Sequence, residues 1–338
     1  MAGQNESAAQ SHPPVRKSFW RWARRLLLLL LVLAVFVLTP YIAARWSAAE
    51  NEVLVYSPGV VAGEPTEELK TLRILAYNIA HGRGPTNGNW DESGQLKRRR
   101  IEQIAELIRE QNPDVVILNE VDFNATWSGH QNQAEAIARL VGYDHRAEQR
   151  NLDLQFIYGS WVFGNAVLSK FPIVSAQPVR YPVLSGWEHA LAGSKQGIAC
   201  TLQLSPEEQV RVIAVHLEVR SAPVRKASAE ALLSDLEQAE VPTVLAGDFN
   251  SSLSEQEDAR WPTGQTALDL LAGSGAIQLP PTKNPRVDDF TFSSTDPQRV
   301  IDWILIPPET RYAEYRVLPS ELSDHRPVMA VIELPASP

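Results

Sequence analysis

The chain has 338 residues, 44% hydrophobic and 21% charged, with a formal net charge of −9 and one cysteine. These values describe a globular protein with a real core, as one large domain or two ordinary ones, and exclude a disordered chain, an intrachain disulfide and a cysteine-rich zinc site. Residues 1 to 69 hold six basic and six acidic side chains, so the remaining 25 basic and 34 acidic ones carry the whole excess, which argues against a protein that grips duplex nucleic acid through its phosphates.

The first element is an apolar run from Leu26 to Ala44 without a charge, close to the ~20 residues that span a hydrocarbon core as a helix. Arg16, Lys17, Arg21, Arg24 and Arg25 precede it and only Arg45 follows, which places the N-terminus in the cytoplasm and the rest outside. Trp20, Trp22, Tyr41 and Trp46 fall at its two ends, where amphipathic rings favour the headgroup zone. A cleaved signal peptide and a buried core helix are the alternatives. The expected organisation is a basic cytoplasmic segment 1–25, a transmembrane helix 26–44, a linker 45–70 containing Pro58 and Pro65, and a folded domain 71–335.

From Leu72 onward short β-rich runs alternate with fewer helical ones. "TLRILAYN" and "DVVILNE" read as strands around a helix with Ile101, Ile104, Ala105 and Ile108 on one face. Further strands are "NAVLSKFPIV", "IACTLQL", "VRVIAVHL", "PTVLAGDFN", "VIDWILI" and "PVMAVIEL", with helices near 225–239 and 264–272. So many strands for so few helices predict a mixed sheet, or two packed sheets with helices outside. Cys200, inside an apolar run, reads as a buried strand residue.

Polar side chains recur where these runs end. Asn78, Glu120, His216, Asp248 and Asn250 close strands, Asp302 opens one, and Asp324 and His325 precede the last. Asp248 and Asn250, two apart, would face one side of an extended chain, whereas Asp324 and His325 converge only off a strand. Any one of these residues could simply be turn chemistry. Together they form a set of carboxylates, amides and imidazoles at sheet edges, where ligand sites favour rigid support. Hard oxygen donors without a HExxH helix point to Mg²⁺, with Mn²⁺ or Ca²⁺ as alternatives ahead of zinc. Trp90, Trp127, Trp161 and Trp187 fall in loops, either lining a cleft or standing as isolated half-buried rings.

The ordered blocks "YNI", "NEVD", "GNAVLSKFP", "HLEVRSAPVR", "GDFNS", "IDWIL" and "SDHRPV" resemble the motifs of the endonuclease/exonuclease/phosphatase superfamily. The resemblance runs from about residue 72 to 334 and implies an α/β (α+β) four-layer sandwich of two mixed β-sheets flanked by helices, after the one transmembrane helix. It implies that Glu120 is the principal metal carboxylate, assisted by Asn78 and Asp324. His325, oriented by Asp302, would bind phosphate or polarise water. Asp248 would position or deprotonate the attacking water, Asn250 would hold a phosphoryl oxygen, and His216 would contact phosphate or protonate the leaving oxygen. "VIDWIL" stands where inositol polyphosphate phosphatases of that superfamily carry Cys-Asp-Arg, which separates the chain from them.

The physical need is independent of the resemblance, since attack of water on an anionic phosphodiester requires a cation and a base near the nucleophile. The resulting expectation is a single-pass membrane protein with an extracytoplasmic, Mg²⁺-dependent phosphodiesterase domain acting on a small or lipid-linked diester. The alternatives are a nuclease, membrane-bound or secreted, with a locally basic cleft drawn from Arg225, Lys226 and the Lys97–Arg100 run, and a non-catalytic binding module on the same fold. The Lys97–Arg100 run is otherwise the solvated face of a helix.

Overall fold

The computed structural model describes residues 15–46, 48, 52–58, 70–157, 159–186, 193–254, 264–281 and 285–335. Trp187, residues 1–14 and most of the segment 45–70 therefore lie outside the described residues. The chain divides into two compact units, Met1–Ser47 and Ala48–Pro338.

The first unit contains α1 (Val15–Trp46), one helix that begins within the basic segment and continues through Pro40. Phe19–Arg45 is long and apolar enough to cross a membrane. Its large apolar side chains from Leu26 to Leu38 are each at least half exposed, which removes the reading of a buried core helix. An anchor and an uncleaved leader both have this form.

The second unit holds two mixed sheets. The larger has the order β1 (Val53–Tyr56), β4 (His145–Phe156), β5 (Gly159–Ser169), β3 (Val115–Ala125), β2 (Thr71–Asn78), β12 (Val328–Glu333), β11 (Arg311–Val317). The smaller has the order β10 (Asp302–Leu305), β9 (Thr243–Asp248), β8 (Gln209–His216), β7 (Gln196–Gln203), β6 (Ile173–Arg180). The pairs β2–β3 and β8–β9 are parallel and the rest antiparallel. Val53–Tyr56 lie inside the segment expected as a linker, but pair with Ala147 to Gln149 and Arg146 along β4. The β-prone Val53, Leu54, Val55 and Tyr56 suit an edge strand despite the acidic surroundings.

Alternate side chains of facing strands meet between the sheets, with Ile74, Ile117 and Val167 of the larger sheet against Ile198, Val212, Val244 and Ile304 of the smaller. Cys200 is buried there in β7, as expected. On the outer face of the larger sheet pack α2 (Gly94–Gln111) and α3 (Gln133–Val141), through Ile101, Ile104, Ile108 and Ile137. Each of these side chains contributes roughly 1.5–3 kcal/mol by leaving water. The outer face of the smaller sheet takes α4 (Ala222–Glu237) and α5 (Ala267–Gly273) through Leu232, Leu268 and Leu271. Helix, sheet, sheet, helix is the four-layer sandwich the motifs imply. Serine and threonine side chains set two of the helix starts on the smaller sheet, Ser221 accepting from Val224 N and Thr266 from Asp269 N.

Candidate active site

The parallel register of β2 and β3 puts Asn78 beside Asn119. In the smaller sheet, His216, Asp248 and Asp302 stand in one row, because β8 runs parallel to β9 and β10 antiparallel to it. The two rows meet at Asp248. Its backbone N–H donates to Asn119 Oδ1 at 3.0 Å, and its carboxylate accepts from Asn78 Nδ2 at 3.1 Å. Asn119 is itself held, donating to Asn165 Oδ1 at 2.8 Å, while Asn165 donates to Gln149 Oε1 and to the Gln196 carbonyl. A chain of buried amides thus ties the two sheets together beneath the site.

So close an approach explains the glycine before Asp248. Gly247 has φ +132, and a Cβ there would lie 2.2 Å from the Val215 carbonyl oxygen and 2.8 Å from Asn119 Oδ1. Gly247→Ala is expected to destabilise the domain by at least about 2 kcal/mol, read as the shift in urea midpoint at constant slope. An unchanged midpoint would mean that β8 and β9 can part without cost.

Beyond β9 the backbone turns, and Asn250 adopts a left-handed φ of 48. The expectation that Asp248 and Asn250 share a strand face is therefore replaced by a tighter arrangement. Asn250 bends back and donates both its backbone N–H (2.8 Å) and its Nδ2 (3.1 Å) to the Asp248 carboxylate. Burial pushes the Asp248 carboxyl up to about 6, with the His325 charge opposing the rise and the Asp302 charge adding to it. A carboxylate of that basicity suits removal of a proton from water near neutral pH.

His325 lies on the irregular segment before β12, as its convergence required. Its Nδ1 is 2.8 Å from Asp302 Oδ2 and 3.1 Å from Oδ1, and its Nε2 is 3.8 Å from Asp248 Oδ2. Burial works against its charge, but the Asp302 and Asp248 carboxylates outweigh it and raise His325 to about 10. It is a cation over the site. Asp324, next to it, is engaged by Arg83 Nη2 at 2.7 Å.

Glu120 sits where the register of β3 against β5 shifts, and its φ of 53 marks the kink. Its side chain is 27% exposed, with Oε2 3.6 Å from His81 Nε2 and Oε1 3.8 Å from His216 Nε2. No described residue donates a hydrogen bond to it. Burial would raise its carboxyl, but the groups around it, His81 first and then His216, Lys195 and His325, hold it down to about 2. An ionised carboxylate without donors, facing a cleft, fits a hard divalent cation. Asp248, Asp302 and His325 form a separate buried group whose ligand-type atoms lie within 4.8 Å of one another, in which His325 would serve only after losing its proton.

Three groups beside these escape motif reading. Lys195 Nζ is 2.6 Å from His216 Nε2, and burial lowers the Lys195 amine while burial and that amine hold His216 well below its ordinary value. His81, two residues after Ile79, reaches Glu120 from the other side. Asp122 holds His81. Lys195 precedes a strand, with only a serine and glycine before it, and nothing local marks it. Trp127 stacks edge-on to Trp90 and tilted to Trp161 at 5.8 and 6.5 Å, so these three form one cluster rather than isolated rings, with Trp161 standing on β5 and not in a loop as expected.

A cavity of about 790 Å³ is lined by Glu120, Asp248, Asn250 and His325, with Arg225, Lys226 and Arg299 on its wall. A smaller one of about 170 Å³ adjoins it, sharing Glu120, Lys195 and Arg220 and bounded by His81, Phe163 and Leu184. The Lys97–Arg100 run is not part of this wall. Lys97 is fully buried, donating to the Asn89 carbonyl, and Arg100 pairs with Glu92, so the solvated-face reading fails for both.

The profile of the Endonuclease/Exonuclease/phosphatase family matches residues 75–325, well over half of the chain. The chain belongs to this family. Its members hydrolyse phosphoester bonds. Among solved structures, the chain is similar to an endonuclease/exonuclease/phosphatase of Beutenbergia cavernae DSM 12333 (23% identity, TM-score 0.63, covering 80% of this chain and 73% of that one). It is also similar to the human Nocturnin catalytic domain with bound sulfate (16%, TM-score 0.55, 86% and 97%) and to a mannosyl-6-phosphatase of Bacteroides thetaiotaomicron VPI-5482 (17%, TM-score 0.53, 78% and 100%). At these identities the likeness concerns the fold. No curated protein sequence matches the chain.

Proposed function

We propose that the protein is a membrane-anchored, divalent-metal-dependent phosphodiesterase whose domain faces away from the cytoplasm and acts on a small or lipid-linked phosphodiester. The observation that carries this is the pairing, in one cleft, of an ionised Glu120 without donors and a buried Asp248 of raised basicity beside the His325 cation. Glu120, assisted by Asn78 and Asp324, would hold Mg²⁺ or Mn²⁺, which when bound neutralises charge on the phosphoryl group. Asp248 orients water and takes its proton, and Asn250 would steady a phosphoryl oxygen by releasing one of the two amide bonds it gives to Asp248 and the Leu217 carbonyl. His325, fixed by Asp302, binds the phosphate. His216 accepts from Lys195, and the pair contacts the phosphate on its leaving-group side. The Arg83 contact fixes the orientation of Asp324.

The test is a panel of lipid head-group diesters, small diesters, duplex DNA and phosphomonoesters, with the metal removed and restored. EDTA is expected to silence the enzyme and Mg²⁺ or Mn²⁺ to restore it, with a higher kcat/KM on a small or lipid-linked diester than on duplex DNA at physiological salt. The cations Arg225, Lys226 and Arg299 on the larger cavity wall favour a nuclease as the second reading. Strongly salt-sensitive cleavage of duplex DNA without turnover of small or lipid diesters would promote it.

The basic excess before Leu26 supports this orientation. A reporter active only outside the cytoplasm is expected to work when fused after residue 60. A cytoplasm-only reporter working there would reverse the topology.

A further inference from the structure

His81 is built into the site with more care than a residue of the wall would need. It lies on the turn Ala80–Gly82 after β2, where Ala80 and His81 both adopt left-handed φ values of 46 and 55. Each such residue costs about 1 kcal/mol or more, so the surroundings must enforce the shape. They do so by a closed set of bonds. His81 Nδ1 is 2.7 Å from Asp122 Oδ1, and the other Asp122 oxygen accepts from Trp127 Nε1 at 2.8 Å. The Asp122 N–H donates to Gln133 Oε1, while Gln133 Nε2 donates back to the His81 carbonyl, both at 2.9 Å. Trp127 and Phe163 then hold the ring edge-on, at 5.8 and 5.2 Å.

A fully buried carboxylate at Nδ1 keeps a proton on that nitrogen, so it is Nε2, facing the smaller cavity that both His81 and Glu120 line, that gives up its proton when a metal ion takes its place. Nε2 and Glu120 Oε2 are 3.6 Å apart, too far for a hydrogen bond. Two donors bonded to one ion at about 2.1 Å stand roughly 3 to 4 Å apart. An imidazole backed by a carboxylate and aimed beside a second carboxylate is the arrangement that orients histidine ligands in metal sites. The other imidazoles differ. His216 Nε2 is taken by Lys195, and His325 lies between two carboxylates.

We propose that His81, oriented by Asp122, ligates through Nε2 the same metal ion that Glu120 holds, giving a mixed nitrogen and oxygen donor set that selects Mn²⁺ over Mg²⁺. Imidazole suits first-row transition metals, whereas Mg²⁺ prefers oxygen throughout. The inference rests on the reading of Glu120 as the metal carboxylate.

The test uses the full chain in detergent micelles, with Mn²⁺ binding followed by electron paramagnetic resonance and Mg²⁺ by competition. Wild type is expected to bind Mn²⁺ at least about 10-fold more tightly than Mg²⁺ and to show nitrogen coupling in pulsed spectra. His81→Gln should weaken Mn²⁺ about 10- to 100-fold, change Mg²⁺ affinity little, and abolish the coupling. His81→Gly, whose backbone favours the left-handed turn, should do the same, and added imidazole should restore the coupling. Coupling that survives both substitutions, or is absent from Mn²⁺-loaded wild type, overturns the proposal. Glu120→Gln separates the two readings: loss of metal there with an unaffected His81→Gln defeats this inference alone, and retained metal there defeats the placement of the metal at Glu120.

Discussion

Glu120→Gln is expected to lower kcat/KM by about 10³-fold or more at limiting Mg²⁺ and to lower the melting temperature at neutral pH while the fold is kept. The amide keeps the shape and removes the charge. No described residue donates a hydrogen bond to that carboxylate and the left-handed backbone at residue 120 is the same for either side chain, so the fold survives. A carboxyl held below its ordinary range nevertheless stabilises the domain as an anion at neutral pH, and the amide forfeits that. What is lost is the anion that the surrounding imidazoles and Lys195 hold ionised down to about pH 2. Kinetics across a Mg²⁺ titration, paired with a thermal melt, check both halves. Near wild-type turnover at limiting metal would sink the assignment of Glu120.

Asp302→Asn and His325→Ala are each expected to cost about 10²-fold or more in kcat/KM, and the double substitution little beyond the worse single one. The imidazole works only with Nδ1 protonated and its plane fixed, and Asp302 supplies both through contacts of 2.8 and 3.1 Å. Asp302 is set in turn by its N–H to Thr291 Oγ1, and His325 rests on the Phe292 ring at 4.9 Å. Without the carboxylate the ring keeps its place but loses its charge and tautomer. Without the ring, the carboxylate has no catalytic task. Four proteins assayed on one substrate suffice, and additive losses would show that the two residues act separately.

Much of this architecture can be read from the chain because polar residues interrupt apolar strands abruptly. Asn78, His216 and Asp248 each close a run whose four preceding members are buried, so their place at a strand end follows from the apolar run alone. β4 is different. His145–Phe156 buries Glu148, Gln149, Asn151 and Asp153, so its inward face is polar and no alternation announces a strand. α3 was hidden by its length of nine residues, and β5 and β6 read as one run because Lys170 to Pro172 interrupt the apolar pattern only briefly. His81 and Lys195 depend on partners 39 and 21 positions away, Glu120 and His216, and on backbone φ values that residue identity does not encode. Gly247 shows the converse, since a glycine in the middle of an apolar strand end signals a close approach without naming what approaches.

The two carboxylates at the heart of the cleft differ in what else they do. Asp248 is a rivet: through its main chain and side chain it joins β9 to Asn119 and Asn78 of the opposite sheet, and it also shapes the turn at Asn250. Glu120 joins no strand to another through a hydrogen bond and meets His81 and His216 only at 3.6 and 3.8 Å. A lineage drifting away from chemistry toward simple recognition could therefore replace Glu120 and keep a sound sandwich, whereas replacing Asp248 would loosen the join between the sheets along with the reaction. If Glu120 holds the metal as proposed, the identity of residue 120, more than that of residue 248, would tell a working hydrolase from a silent relative.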